Sequence, residues 1–418
     1  MDQFENAGAK RYGVVLVLFL LSMITYVDRV CISAAKDPIA AELKLSDTAV
    51  GLVFSAFALG YAMAQIPAGW FADQLGPRAS LAIVVGGWSA LTTLTGAAKG
   101  LGSLVTIRFL FGSCEAGAFP GSARAICDWL SPGERGRANG VLFSGSRLGG
   151  AVSFPLLAWM LARWQWRASF VILGGMGLAW AVFWLLWFRN HPSRRLPSEP
   201  VLSQSEIALA EIFRSKPMLL AMAQYFASNF TFFICLSWML PYLKRQYHLE
   251  DSQAAVYAMA PLLAGATSLW LAGWAVDRIY RSPLRAWSRR LPGVIGFALA
   301  MVGILAVLRA HTPEAAAVCF TLAIFGSDMT ISPSWVFCAD ISGKNAGSVS
   351  GAMNMLGNIG SFVSANAFPY LERATGSTSA YFMTAALLDV CGILCWLNMR
   401  SIGLEKPFAL RQRVSLEA

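Results

Sequence analysis

Charge is what this 418-residue sequence has least of: Asp, Glu, Lys and Arg together make up 13% of it, and histidine occurs only three times. A soluble domain spends about a quarter of its residues on charge, so the composition excludes a large water-exposed domain. The eight cysteines lie mostly inside apolar runs, as Cys31, Cys114, Cys235 and Cys319 do, and supply neither a zinc motif nor an extracellular disulfide framework. No His/Cys/Asp cluster and no nucleophile motif points to metal or covalent chemistry, so an intramembrane enzyme is disfavoured and neither metal nor cofactor is expected. The Lys and Arg that give a formal charge of +10 are scattered through loops, and no basic domain suited to nucleic acid emerges.

What is present is apolar. Hydrophobic residues make up 56% of the chain, with 15 Trp and 26 Phe. The first apolar run follows Lys10 and Arg11 as in a signal peptide, but it exceeds a signal core and many more runs follow it. Apolar segments fall near 13–34, 48–71, 79–98, 104–127, 137–161, 167–188, 218–243, 253–276, 290–309, 316–339, 346–371 and 378–399. At roughly 20 residues per crossing, spans of this kind consume most of the length. An even number of crossings puts both termini on one side, and the excess of Lys and Arg there predicts that this side is cytoplasmic.

One long polar stretch, 189–217, interrupts the pattern with prolines, basic residues and a short helix-like piece capped by Ser203 or Ser205. It divides the chain into residues 1–188, a cytoplasmic linker, and residues 218–418, the last with a short cytoplasmic tail. The two parts are related. Gly69-Trp70-Phe71-Ala72-Asp73 recurs as Gly273-Trp274-Ala275-Val276-Asp277, while Phe111-Gly112-Ser113 and Pro155 recur at one offset as Phe325-Gly326-Ser327 and Pro369. The predicted fold is therefore an all-α integral membrane protein of twelve transmembrane helices in two pseudo-symmetric six-helix bundles. Tandem halves of this sort place a substrate site between them near the bilayer midplane.

Charged residues inside a span cost about 2.5 kcal/mol or more on insertion scales, so those that occur face aqueous cavities and carry function. Asp28 and Arg29 lie late in the first span; Arg108 and Glu115 lie in the fourth, seven residues apart and so on one helix face. Counting depth from the span ends allows an ion pair between Asp28 and Arg108, with Arg29 turned toward a ligand. Two arginines in one cavity attract an anion, and a carboxylate in low dielectric can load and release a proton. The alternative reading is that these groups only pair to fix the bundle. Arg147 and Asp328, near mid-depth in spans five and ten, are further cavity candidates, and Asp389 in the last span suits a packing contact. Tyr26, Tyr61, Asn229, Ser334, Trp335 and Asn358 could supply hydrogen bonds or a stacking wall. The loop after span two, with Gly69, Asp73, Gly76 and Arg78, has glycines that permit close backbone approach and charges that can lock helix ends in one conformation.

These motifs together resemble those of the major facilitator superfamily, and more narrowly its anion:cation symporter family, which contains bacterial sugar-acid transporters and the animal sialic acid and vesicular glutamate transporters. The resemblance rests on Tyr26-Val27-Asp28-Arg29, the loop Gly69 to Arg78, Arg108 through Glu115 to Phe119-Pro120, Glu134-Arg135-Gly136-Arg137-Ala138, Ser332-Pro333-Ser334-Trp335 and Gly357-Asn358. It implies proton-coupled uptake of an organic anion by alternating access. By the same resemblance Asp28 and Glu115 would be the proton-linked carboxylates, Arg29 and Arg108 would handle substrate charge, and Tyr26, Tyr61, Trp335 and Asn358 would line a sugar-acid site. Arg147 and Asp328 are not part of that resemblance. The short loop between the first two spans favours a bacterial inner membrane protein. The expectation is a monomeric symporter in the lipid bilayer for a hexuronate or aldonate. The alternatives are a carrier of an aromatic or dicarboxylic acid, or a transport-inactive sensor on the same scaffold.

Overall fold

The structure is a computed structural model that describes residues 8–190 and 209–399. The expected cap at Ser203 or Ser205, most of the linker and the C-terminal tail lie outside the described residues. Every regular element among the described residues is helical. The helices are α1 (Lys10–Ala34), α2 (Lys36–Leu43), α3 (Asp47–Thr95), α4 (Leu101–Glu115), α5 (Ala118–Trp129), α6 (Arg135–Arg163), α7 (Trp166–Trp187) and α8 (Leu209–Arg214). The second half adds α9 (Lys216–Ser237), α10 (Met239–Tyr247), α11 (Asp251–Tyr280), α12 (Arg290–Val307), α13 (Pro313–Met329), α14 (Ile331–Ile341), α15 (Ala346–Thr375) and α16 (Ser379–Asn398).

Seven described helices are long and apolar enough to cross a membrane, nine when two bent helix pairs each count as one span. The longest run, Thr48–Thr95, is two crossings, because Gly76 takes φ 74° and ψ 161° and breaks it. Glycine adopts that backbone without the Cβ penalty other residues meet. The α4/α5 pair and α15 complete the twelve of the sequence reading. Their hydropathy is lower because they carry the residues that face the interior, Arg108 and Glu115 in α4, Asn354 and Asn358 in α15. Local sequence sets several boundaries. Ser215 and Thr312 accept hydrogen bonds from Met218 N and Ala315 N at the starts of α9 and α13, each just ahead of a proline in the first turn, where a missing N–H costs nothing.

Packing repeats across the two halves. Helix α1 lies on α6 as α9 lies on α15; α3 lies on α4 and α7, while α11 lies on α13 and α12 on α16. The halves meet along α6–α11 and α3–α15. These two contacts interchange when the halves are exchanged, as duplication requires. The halves also share a discontinuity: α4 gives way to α5 at Ala116–Gly117, and α13 to α14 at Thr330. Each break follows the repeated Phe-Gly-Ser sequence by a few residues, and just before each break stands a buried carboxylate, Glu115 or Asp328.

Candidate functional site

Between the two interfaces a central cavity of about 70 Å³ remains. By this measure one water needs about 10–15 Å³, so the space suits a few waters or a small polar solute. Its wall is built by helical spacing. Helix α1 supplies Tyr26 and Arg29, α9 supplies Tyr225, Ser228 and Asn229, and α15 supplies Asn354 and Asn358, all at intervals of three or four that put them on one face. Tyr61 from α3 and Ser146 and Arg147 from α6 close the ring, with Phe119, Phe143 and Phe232 as its apolar part. Asn354 Nδ2 donates to Tyr61 Oη (3.3 Å) and Gln65 Oε1 (3.0 Å), joining the halves beside the cavity.

Arg29 reaches inward from α1 and donates its Nε to Glu115 Oε1, forming an ion pair in which Glu115 is fully buried and the arginine side chain keeps 21% exposure. Its Nη2 has no partner, and the guanidinium lies over the rings of Tyr61 (4.5 Å) and Tyr26 (5.2 Å). The sequence reading allowed an ion pair between Asp28 and Arg108 with Arg29 turned toward a ligand; Arg29 does line the cavity, but Glu115 holds it, and the Asp28–Arg108 pair is not formed. Depth counting compared Cα positions and neglected the reach of an arginine side chain, which lets Arg29 cross to Glu115. Asp28 is buried and accepts instead from Trp88 Nε1 (3.1 Å). Arg108 packs its guanidinium on Phe111 (4.5 Å) and Phe57 (4.9 Å), stands behind the cavity wall, and keeps a buried Nε without a partner.

Arg147 and Asp328 form the second buried pair, and it crosses between the halves. Arg147 Nε donates to Asp328 Oδ2 (2.8 Å), and Nη2 donates to Oδ1. The guanidinium sits over the Phe232 ring at 3.9 Å, and Tyr26 lies within hydrogen-bonding reach of it. Arg147 faces the cavity; Asp328 is enclosed behind it.

Two expected wall residues stand elsewhere. Trp335 is buried behind Tyr225, donating Nε1 to its hydroxyl (3.0 Å) and packing on Phe143 and Phe119. Ser334 is buried in a hydrogen bond to Thr330 O (2.6 Å) and accepts from Gln224 Nε2 (3.0 Å). Asp389 is buried and accepts from Thr231 Oγ1 (2.8 Å), between α16 and α9. The sequence reading missed Tyr225 and Asn354. Each lies four residues before a residue it did name, Asn229 and Asn358, so helix periodicity could have found them.

One end of the bundle is closed by two matching latches. Asp73, at the break in α3, accepts from Gly347 N (2.8 Å), Ser348 N (2.7 Å) and Ser348 Oγ (2.7 Å) at the start of α15. Asp277, at the end of α11, accepts from Gly136 N (2.9 Å) and Arg137 N (2.9 Å) at the start of α6. A carboxylate at a helix N-terminus satisfies orphan N–H groups and meets the positive end of the dipole. Gly69 and Gly273 are required because a Cβ at either would strike a backbone carbonyl across the interface, that of Gly347 or Gly136. Arg78 does not join the latch as expected: its backbone N–H and its Nε donate to Asn190 Oδ1 (2.8 Å) and Leu185 O (2.9 Å) within its own half. Arg124 stands in its place, 3.8 Å from Asp73 and bonded to Lys344 O.

Comparison with known proteins agrees with this architecture. The model of the Major Facilitator Superfamily matches residues 18–365. The chain is 33% identical to a probable sulfoacetate transporter of Cupriavidus necator, over 93% of each chain. It is 29% identical to a hexuronate transporter of Bacillus subtilis, over 94% of this chain and 96% of that one. Among solved structures, the human organic anion transporter MFSD10 superposes with a TM-score of 0.73 at 16% identity, covering 93% of this chain and 99% of that one.

Proposed function

This chain belongs to the major facilitator superfamily, and from that premise we propose that it is a symporter moving an organic anion, of the sugar-acid class, together with protons by alternating access. The observation that carries the proposal is the Arg29–Glu115 pair in the cavity wall, with one guanidinium nitrogen unpartnered. While Glu115 is ionised it holds Arg29. A proton on Glu115 weakens that hold and leaves the guanidinium for a substrate carboxylate, so proton and anion load together and the site's charge is conserved. Asp28 and Arg108, buried nearby, form a second tier through which protonation and substrate charge are coupled. The hydroxyl and amide groups of Tyr26, Tyr61, Asn229 and Asn358 are suited to the hydroxyls of a sugar acid. The names of the two curated relatives, a sulfoacetate and a hexuronate carrier, support an anionic substrate.

In this reading the Asp73 and Asp277 latches close the cytoplasmic end, both termini lie in the cytoplasm of a bacterial inner membrane, and the structure stands in the outward-facing half of its cycle. Opening inward requires both latches to release. The test is uptake into proteoliposomes under an inward proton gradient with labelled hexuronates and aldonates. Accumulation that collapses with a protonophore is expected. Uptake indifferent to the gradient would remove the proton, and no uptake of any organic acid would remove the transporter reading.

A further inference from the structure

The cavity contains a second carboxylate–arginine pair that the coupling scheme above does not use, and its place in the duplicated fold says what it does. Glu115 follows Phe111-Gly112-Ser113 by two residues and ends α4; Asp328 follows Phe325-Gly326-Ser327 by one and lies a residue before α13 ends. Each is fully buried at the break of the corresponding span, and each neutralises one arginine of the cavity wall. Asp328 is thus the counterpart of Glu115 in the second half. Tyr26 lies between the two guanidinium groups, its ring 5.2 Å from that of Arg29 and in hydrogen-bonding reach of Arg147.

We propose that Arg147 is a second anion receptor and that Asp328 is the proton-accepting carboxylate that releases it, so that the preferred substrate is a dianion held between Arg29 and Arg147. This inference rests on the organic-anion reading and narrows it. A dianion that takes both guanidinium groups displaces two buried carboxylates; among the described residues Asp328 has no other cation in contact, and Glu115 keeps only the charge of Arg108, which makes no ion pair with it. A buried carboxylate without a partner is strongly disfavoured as an ion. Each displaced group therefore takes a proton: two anionic groups enter with two protons, and the charge of the cavity is unchanged. A monoanion engages Arg29 alone, leaves Asp328 on Arg147, and brings one proton fewer. The ionisable groups that face the second pair from other helices are Tyr26 of α1 and Tyr225 of α9; α11 presents Gly265 close against the Asp328 carboxylate. No other carboxylate or cation is in contact with the pair among the described residues.

The experiment compares acids of one carbon skeleton and different charge, glucarate against gluconate and sulfoacetate against glycolate, on the purified full-length protein. Titration calorimetry in buffers of different ionisation enthalpy gives affinity and protons bound together. The dianion of at least one pair should bind at least about tenfold more tightly and take up about one more proton than its monoanion. The double variant Arg147→Gln, Asp328→Asn removes both charges at once and orphans neither. It should weaken dianion binding more than monoanion binding, lose the dianion preference and lose the extra proton. If monoanions bind with no dianion preference and no extra proton, this inference fails and the symporter reading stands; wild-type protein alone decides that. If no acid of either charge binds, both readings fall. An equal loss of both ligands in the double variant would make the pair a structural strut and overturn the assignment.

Discussion

The two buried carboxylate–arginine pairs differ in one respect that governs their behaviour. Glu115 and Arg29 belong to the same half, so rigid-body rocking of the halves leaves their geometry intact and only ligand and proton can separate them. Asp328 and Arg147 come from opposite halves, twelve residues from the Arg135 end of α6 and thirteen from the Ile341 end of α14. Both therefore sit about 18–20 Å from the latched face, near the level about which rocking halves pivot. A pair at that level is sensitive to conformation as well as to charge. Duplication thus provided two similar pairs, and the placement of the partner arginine keeps one within a half and makes the other bridge the two.

The strongest way to break this comparison is Glu115→Gln. A glutamine cannot be ionised, so Arg29 stays available while proton coupling at that position is lost. Proton-driven accumulation should fall to the background of empty liposomes, while exchange of internal for external substrate persists, since exchange need not discharge the proton site. Counterflow and gradient-driven uptake in the same proteoliposomes separate the two. Loss of exchange as well would make Glu115 a binding or structural residue and end its role as the switch.

The latches offer a second comparison, here of regions that duplication kept alike. Asp73→Ala removes two backbone bonds and a serine bond from the start of α15; Asp277→Ala removes two backbone bonds from the start of α6. Loss of a helix cap costs about 0.5–2 kcal/mol, which shifts a two-state equilibrium by roughly 2- to 30-fold. Both variants should enrich the inward-open form, Asp73→Ala the more because it also loses the serine contact. Spin-label distances across the latched face would report this. An effect at Asp73 with none at Asp277 would mean that one interface alone holds the gate.

Spans, halves and latches were legible in the sequence because each leaves a mark that survives without coordinates. Apolar runs of one length gave the twelve crossings, the Gly-x-x-x-Asp repeat marked both latches, and charge inside spans marked the cavity. Pairing was not legible. Helical arithmetic places Cα atoms, and it matched Asp28 to Arg108 by depth. The outcome was decided by side-chain reach and by the neighbours: Arg29 is long enough to cross to Glu115, while Trp88 satisfies Asp28. The exchange of Arg78 for Arg124 at the latch has the same origin, since Asn190 and Leu185 engage Arg78 first. The break in span ten was equally hidden. The burial of Ser334 and Trp335 is likewise set by the neighbours that engage them, Gln224 and Tyr225.

That last displacement yields the mildest prediction. Trp335 stands behind three wall residues: the Tyr225 hydroxyl accepts its Nε1 hydrogen bond at 3.0 Å, and its ring packs on Phe143 and Phe119. Trp335→Phe keeps most of the aromatic packing and deletes the donor. One neutral hydrogen bond is worth about 0.5–1.5 kcal/mol, and only part of that reaches the ligand through the orientation of Tyr225. Substrate affinity should therefore weaken by about two- to fivefold with folding intact. Direct stacking of the indole on substrate, as the sequence pattern suggested, would instead cost far more. A loss beyond about fiftyfold would mean that α14 swings Trp335 into the cavity in another conformation, and that the second half contributes a moving wall where this structure holds a fixed one.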